Sequence, residues 1–195
     1  MLTGLNLFLV FATLVAILGA WFDWRSGRQA TEGEGVEGEI PNTLTFGALA
    51  IAPLAHFVWG YKVGGSKVGL EAAGFSVAGA LLCSIVPLIM WRGGAMGGGD
   101  LKLLAAIGAI CRPLVGIEAE FWAFGAAAVL IPARLAWEGK LFRVLGNSLA
   151  IAVNPLLPKS KRKEITPEEM TWARFGPAIA LGTLLATLLH WQRVP

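Results

Sequence analysis

Charge is scarce in this chain. Charged residues fill 15% of its 195 positions, where soluble domains carry ~25%. Hydrophobic residues fill 55%, and the mean hydropathy is +0.64. That balance excludes a disordered chain or a nucleic-acid-binding tail protein, so no nucleic-acid partner is expected. It also argues against an ordinary soluble enzyme. Cysteine is scarcer still: Cys83 and Cys111 lie in or beside apolar stretches and form no CxxC pair. Neither a zinc knuckle nor a disulfide scaffold is indicated. Aspartate is nearly missing, since only Asp23 and Asp100 occur among the 13 acidic residues.

What the chain has is apolar stretches, six of them: 5–22, 44–59, 68–90, 101–111, 121–137 and 175–189. A helix crossing the hydrocarbon needs ~20 residues, so the fourth is short and starts within a glycine run. The expected fold is an all-α polytopic membrane protein with about six transmembrane helices. The first stretch has no basic residue before it and no small-residue cleavage site after it, unlike a cleavable signal peptide. Eight tryptophans, Trp21, Trp24, Trp59, Trp91, Trp122, Trp137, Trp172 and Trp191, fall at or near the proposed helix ends. Indole prefers the headgroup level, where its ring is apolar-facing and its N–H finds a partner.

The basic residues divide unevenly. Loops one, three and five with their flanks hold 12 of the 16, including Arg25, Arg28, Arg92, Lys102, Arg134 and the Lys159 to Lys163 cluster. Lys62, Lys67, Arg112 and Arg193 fall on the other side. Positive charge marks the cytoplasmic side, which puts both termini on the non-cytoplasmic side. The expected organisation is one membrane-embedded domain over 1–195. It carries a cytoplasmic Gly/Glu-rich insertion at about 25–40 and a cytoplasmic loop at about 138–173. The stretch 141–157 is apolar but interrupted by Gly146, Asn147, Asn154 and Pro155, with basic residues at both ends. It reads as an interfacial or partly re-entrant helix.

Asp23 closes the first apolar stretch and Asp100 opens the fourth. By the charge count both lie at the cytoplasmic mouth of the membrane, where acids face a bundle interior or a water-filled cleft. The plain alternative is a solvated or capping residue at each helix end; a carboxylate suits the first turn that Asp100 would occupy. Asp100 follows five glycines in seven positions, Gly93, Gly94, Gly97, Gly98 and Gly99. Glycine lets another backbone approach closely, and an extended peptide could pair there by strand addition. A flexible connector would explain the glycines but not the adjoining Asp100 and Lys102.

Gly97-Gly98-Gly99-Asp100 fits the GxGD pattern of intramembrane aspartic proteases, and Leu101-Lys102 extends it to GxGDxK. In this the chain resembles the type IV prepilin peptidases. Asp23, Arg25 and Ile40-Pro41-Asn42 resemble that family's other catalytic region, and the run from Phe175 to Gly182 resembles its final helix. Two departures stand out. A Gly/Glu-rich insertion, 31–39, separates Asp23 from the IPN tripeptide, where the family usually has a much shorter gap. The cytoplasmic loop with paired CxxC motifs, found in bifunctional members with N-methyltransferase activity, is missing. The chain is thus similar to the compact peptidase-only branch, which includes enzymes serving tight-adherence pili.

The resemblance implies an aspartic endopeptidase of the prokaryotic cytoplasmic membrane. Its active site would face the cytoplasm, and it would remove the short basic leader of prepilin or pilin-like precursors. It implies Asp23 and Asp100 as the catalytic pair. Two close carboxylates share one proton: the ionised partner takes a proton from water, and the protonated one polarises the scissile carbonyl. The pair titrates as a unit, and this chemistry needs no metal and no cofactor. Gly97, Gly98, Gly99, Lys102, Pro41 and Asn42 are candidates for substrate binding or support. Lys102, two positions from Asp100, is off its helix face and either snorkels to headgroups or biases the pair. Pro41-Asn42-Thr43 equally reads as the start signal of the second span. His56, His190, Glu71, Glu118 and Glu120 fall on the far side, too distant to join the pair. Two rivals stay open: a small ion- or proton-coupled transporter subunit, and a noncatalytic pilus or secretion assembly protein.

Overall fold

The computed structural model describes residues 4–31, 40–153 and 174–191, and within them every regular element is helical. The helices are α1 (Gly4–Thr31), α2 (Asn42–Arg92), α3 (Gly98–Trp137), α4 (Leu141–Val153) and α5 (Gly176–Leu189). Asn6–Ser26 of α1, and all of α2 and α3, are long and apolar enough to cross a membrane. The apolar α5 is shorter, at 14 residues.

At 51 residues, α2 is far longer than one crossing requires, and it is not straight. Gly64 (φ −148°, ψ 19°) and Gly65 (φ 78°, ψ −168°) leave helical geometry, and the positive φ at Gly65 is a conformation that glycine takes without penalty. A Cβ on Gly60 would lie 2.8 Å from the Val68 carbonyl oxygen and 2.9 Å from the Gly69 Cα. In a continuous helix residues 60 and 69 would be about 13.5 Å apart. The chain therefore doubles back, and arms 42–63 and 66–92 form a hairpin. α3 breaks the same way at Arg112 (φ 65°, ψ 173°). Pro113 follows, and proline disfavours α geometry in the residue before it and carries no N–H of its own. A Cβ on Gly116 would lie 2.9 Å from the Gly108 Cα, so the chain doubles back here as well, and 113–127 runs antiparallel to 98–111.

The six apolar stretches thus correspond to α1, two arms of α2, two arms of α3, and α5. Two boundaries differ from expectation. Asp23 does not close the first helix: α1 continues to Thr31, absorbing part of the supposed insertion. Arg25 to Ala30 hold no proline and only one glycine, and Ser26 Oγ back-bonds to the Phe22 carbonyl, so nothing stops the helix there. Residues 113–120, expected as a connection between spans, are helical, because the break is confined to one residue.

By compactness the chain divides into two units, Met1–Ala127 with Phe175–Pro195, and Ala128–Arg174. In the first, Leu103 to Cys111 are buried without interruption. This arm is apolar on every side, as a helix enclosed by others must be. Gly19 of α1 faces Leu103, and Ser76 Oγ donates to the Ala109 carbonyl at 2.7 Å. His56 Nε2 lies 2.8 Å from the Ile110 carbonyl, and Phe8 stacks on the His56 ring. Gly79 and Gly108 bring their backbones into direct contact. α5 packs on α1 through Thr13 and Thr187, whose hydroxyls are 2.9 Å apart, and on α3 through Gly182 against Ala119 and Ala123. Between helices in lipid each such hydrogen bond contributes about 0.6–1.7 kcal/mol, so the close small-residue contacts carry much of the association.

The second unit holds the end of α3 and α4. Glu138 bridges Arg134 (2.9 Å) and Lys140 (3.0 Å) at a turn closed by Gly139 (φ 68°). α4 is the helix expected near 141–157, with Phe142 and Leu145 exposed. The remainder of that stretch, the Lys159 to Lys163 cluster and the four Glu of the insertion lie outside the described residues.

Candidate active site

Asp23 sits on α1 and Asp100 in the first turn of α3, 77 positions apart in sequence. Both are buried, with 6% and 9% of their surface exposed. They lie close enough for their charges to interact. Each carboxylate also accepts a backbone N–H. Gly97 donates to Asp100, and Gly176, the first residue of α5, donates to Asp23 Oδ2 at 3.1 Å. Bringing two acids to one buried place costs free energy that directed donors such as these partly offset.

The glycine run makes the approach to Asp100. α2 ends where the Gly93 N–H bonds the Ile89 carbonyl and the Ala95 N–H bonds the Met90 carbonyl. Gly94 then turns at φ 72°, and Met96 is buried. Gly97 is exposed, and a Cβ there would lie 3.3 Å from Asp100 Oδ2. Gly98 faces the Trp91 indole, and Gly99 faces Ile40, each at 3.4 Å from a would-be Cβ. Ile40, only 4% exposed, thereby brings the IPN tripeptide against the glycine run. Pro41 (φ −55°, ψ 129°) precedes α2, and its carbonyl accepts the Leu44 and Thr45 N–H groups. Asn42 is the first residue of α2; its Oδ1 accepts a hydrogen bond from Lys102 Nζ at 2.8 Å. The Lys102 ammonium also stands over the Phe46 ring, 5.3 Å from its centroid.

The eight residues singled out from sequence thus fall on two helix starts, those of α2 and α3, and on α1. Sequence reasoning missed Ile40 as a packing contact and Gly176 as a donor to Asp23. The signal for Gly176 was present: Phe175-Gly176-Pro177 ahead of an apolar run marks a helix start with proline in its first turn. The acids set aside find other partners. Glu118 pairs with His190, and Glu120 is buried beside Cys83, with its Oε1 unpartnered among the described residues. No cluster of three or more His, Cys, Asp or Glu able to hold a metal ion occurs among the described residues.

The sequence model of the type IV leader peptidase family matches residues 36–153, well over half of the chain. The chain belongs to the type IV leader peptidase family. Neither the search of curated proteins nor that of solved structures gave a match. Membership implies aspartic-type peptidase activity and suggests the cleavage of prepilin leaders. The matched segment of this leader peptidase contains the IPN tripeptide, the glycine run, Asp100 and Lys102. It does not contain Asp23 or α5, which are tied to the rest by geometry alone.

Proposed function

We propose that this protein is a membrane-embedded aspartic endopeptidase that removes a short basic leader from prepilin or pilin-like precursors at the cytoplasmic face, with Asp23 and Asp100 as its catalytic pair. The observation that carries the reading is that the chain's only two aspartates are both buried and interact across α1 and α3. Buried acids in a membrane bundle are costly and are retained for function.

In the proposed reaction the pair holds one proton. The ionised member takes a proton from a water molecule as that water attacks the scissile carbonyl carbon. The protonated member donates to the carbonyl oxygen. The tetrahedral intermediate then collapses, the C–N bond breaks, and the departing amine leaves with a proton from the pair. No acyl-enzyme forms. The Gly97 and Gly176 N–H groups each occupy one acceptor position of a carboxylate, which restricts where the shared proton sits. The N–H groups of Gly93, Gly94 and Ala95 are already bonded to the end of α2 and Gly98 and Gly99 are helical, so strand addition along the whole run is not available. The substrate would approach Asp100 past the exposed Gly97, which has no side chain to block it. A leader that is basic and cytoplasmic, followed by an apolar helix, presents its scissile bond at this membrane boundary.

The deciding experiment is cleavage of a purified prepilin by the purified protein in detergent. Release of the leader from the wild type, and none from Asp23→Asn or Asp100→Asn, supports the reading. Correctly folded wild type that leaves every prepilin intact would return the choice to a transporter subunit or an assembly protein.

A further inference from the structure

We propose that Gly176 is a positioning residue for Asp23: its backbone N–H holds Oδ2, and its missing side chain makes the room that Asp23 occupies. The inference rests on the reading of Asp23 and Asp100 as the catalytic pair, and adds an element of the site supplied by the final helix.

Three observations meet at this point. The Gly176 N–H to Asp23 Oδ2 hydrogen bond, 3.1 Å long, is buried. A Cβ on Gly176 would lie 2.7 Å from Asp23 Oδ2, 2.9 Å from Asp23 Cβ and 3.1 Å from Ala20 Cα. Two of those are backbone-anchored atoms, so α1 and α5 would have to separate for any other residue to fit. The start of α5 is also fixed from the other side. Phe175 is 7% exposed and meets Phe124 edge to face, with centroids 5.5 Å apart. Deeper along the helix Gly182 abuts the Ala119 carbonyl and Ala123 backbone of α3. Helix α5 is thus wedged between α1 and α3, and its first N–H is delivered to one carboxylate oxygen.

The first N–H groups of a helix have no partner within it. Asp23, from another helix, supplies one for α5, and the helix in return selects which Asp23 oxygen accepts. The bond to Oδ2 fixes the plane of the Asp23 carboxyl and so the direction in which it meets Asp100 and the attacking water. Asp100 is held likewise by Gly97, so each half of the pair is oriented by the backbone at the start of a helix. Pro177 keeps this geometry without needing a donor of its own, as proline does at a helix start.

The test compares wild type, Gly176→Ala, Gly182→Ala and an amide-to-ester exchange at Gly176, which removes the N–H and adds no bulk. Steady-state cleavage of a prepilin gives kcat and KM across pH. Separately, 13C-carboxyl aspartate labelling in an Asp100→Asn background leaves Asp23 as the single labelled side chain, so its titration can be followed directly. Both Gly176 changes are expected to lower kcat by about tenfold or more with KM within about twofold. Both should also move the Asp23 carboxyl titration. Gly182→Ala disturbs the same helix nearly two turns away from Asp23; it should cost thermal stability and move the Asp23 titration less than either Gly176 change. An unchanged kcat and an unchanged Asp23 titration in the ester variant would overturn the inference. An Asp23→Asn enzyme with full activity would instead overturn the catalytic reading beneath it. If Gly176→Ala does not fold, the ester and the labelled carboxyl still decide the matter.

Discussion

Lys102 reaches from the start of α3 to the start of α2 and donates to Asn42 Oδ1 at 2.8 Å. The bond ties the residue two places after Asp100 to the residue two places after Ile40, and Ile40 is packed on Gly99. The two helix starts that flank the glycine run are thereby joined at two points, one polar and one apolar. Lys102→Met should keep the fold and lower cleavage, because an apolar side chain of similar length remains while the ammonium's bond to Asn42 and its place over the Phe46 ring are lost. In a double-mutant cycle with Asn42→Ala, a coupling of about 0.5–1.5 kcal/mol in the activation free energy is expected. Strictly additive effects would show that the bond is incidental.

Asp23→Asn and Asp100→Asn should each cut kcat by roughly 10²–10⁴-fold or more, the scale of general acid–base catalysis. Detergent size-exclusion profiles should be unchanged, since asparagine still accepts the Gly176 or Gly97 N–H through its side-chain oxygen. A chelator should leave wild-type cleavage intact, because the proposed steps use only the two carboxyls and water. Near wild-type turnover by either variant would remove the aspartic mechanism.

Glycine contacts between helices should separate cleanly from glycines that face open space. Gly108→Ala would place its Cβ 2.8 Å from Cys83 Sγ and against the Gly79 carbonyl, so lower thermal stability and yield are expected. Gly74→Ala and Gly125→Ala meet nothing within 4 Å and should be neutral or stabilising, by up to about 1 kcal/mol through helix propensity. Equal melting temperatures for the Gly108 and Gly125 variants would contradict the packing described.

Orientation is tested by labelling. In a cysteine-free background, cysteine placed at Ser160 should react with an impermeant reagent only from the cytoplasmic side, as the surrounding lysines and arginines imply. Reaction from the outside alone would invert the topology and move the proposed catalytic pair to the other face.

The insertion supplies an electrostatic prediction. Between Arg25 and Glu39 two basic residues face four acidic ones, Glu32, Glu34, Glu37 and Glu39, for a net charge of −2. If these carboxylates attract a basic leader, changing all four to glutamine should slow cleavage at low salt and matter little at high salt. Screening over ~8 Å at physiological ionic strength weakens such steering. A leader with its lysines and arginines neutralised should be cut equally by both proteins. Identical rates on the basic leader at low salt would leave the four glutamates without an electrostatic role.

Much of this was legible before any coordinates. The apolar stretches announce the helices because a helix in lipid must be apolar over its length. The glycine run with Asp100 marks a candidate site, although a carboxylate in the first turn of α3 would also be favoured by the helix start itself. The hairpin turns fall in the gaps between the apolar stretches, 60–67 and 112–120, and Gly64-Gly65 is an ordinary turn signal; what the sequence hid was how short the breaks are, one or two residues within otherwise helical chain. The extension of α1 past Asp23 was hidden too, since charged Arg25 and Arg28 look like the end of a span yet are good helix formers. Gly176 was legible as a helix start from the proline that follows it, but its partner was not, because the contact with Asp23 joins residues 153 positions apart.

The arm of α3 that carries Asp100 has 14 residues, from 98 to 111, and so extends about 21 Å. That is less than the ~30 Å of hydrocarbon, and its residues 103–111 are walled in by neighbouring helices. This arm has no lipid to match. Bilayer thickness can tilt or stretch the outer helices, but the depth of Asp100 is set by contacts such as Gly19 on Leu103 and Ser76 on the Ala109 carbonyl. The acid is carried on an inner post rather than on the membrane's own scale, which insulates its height from the thickness of the surrounding bilayer.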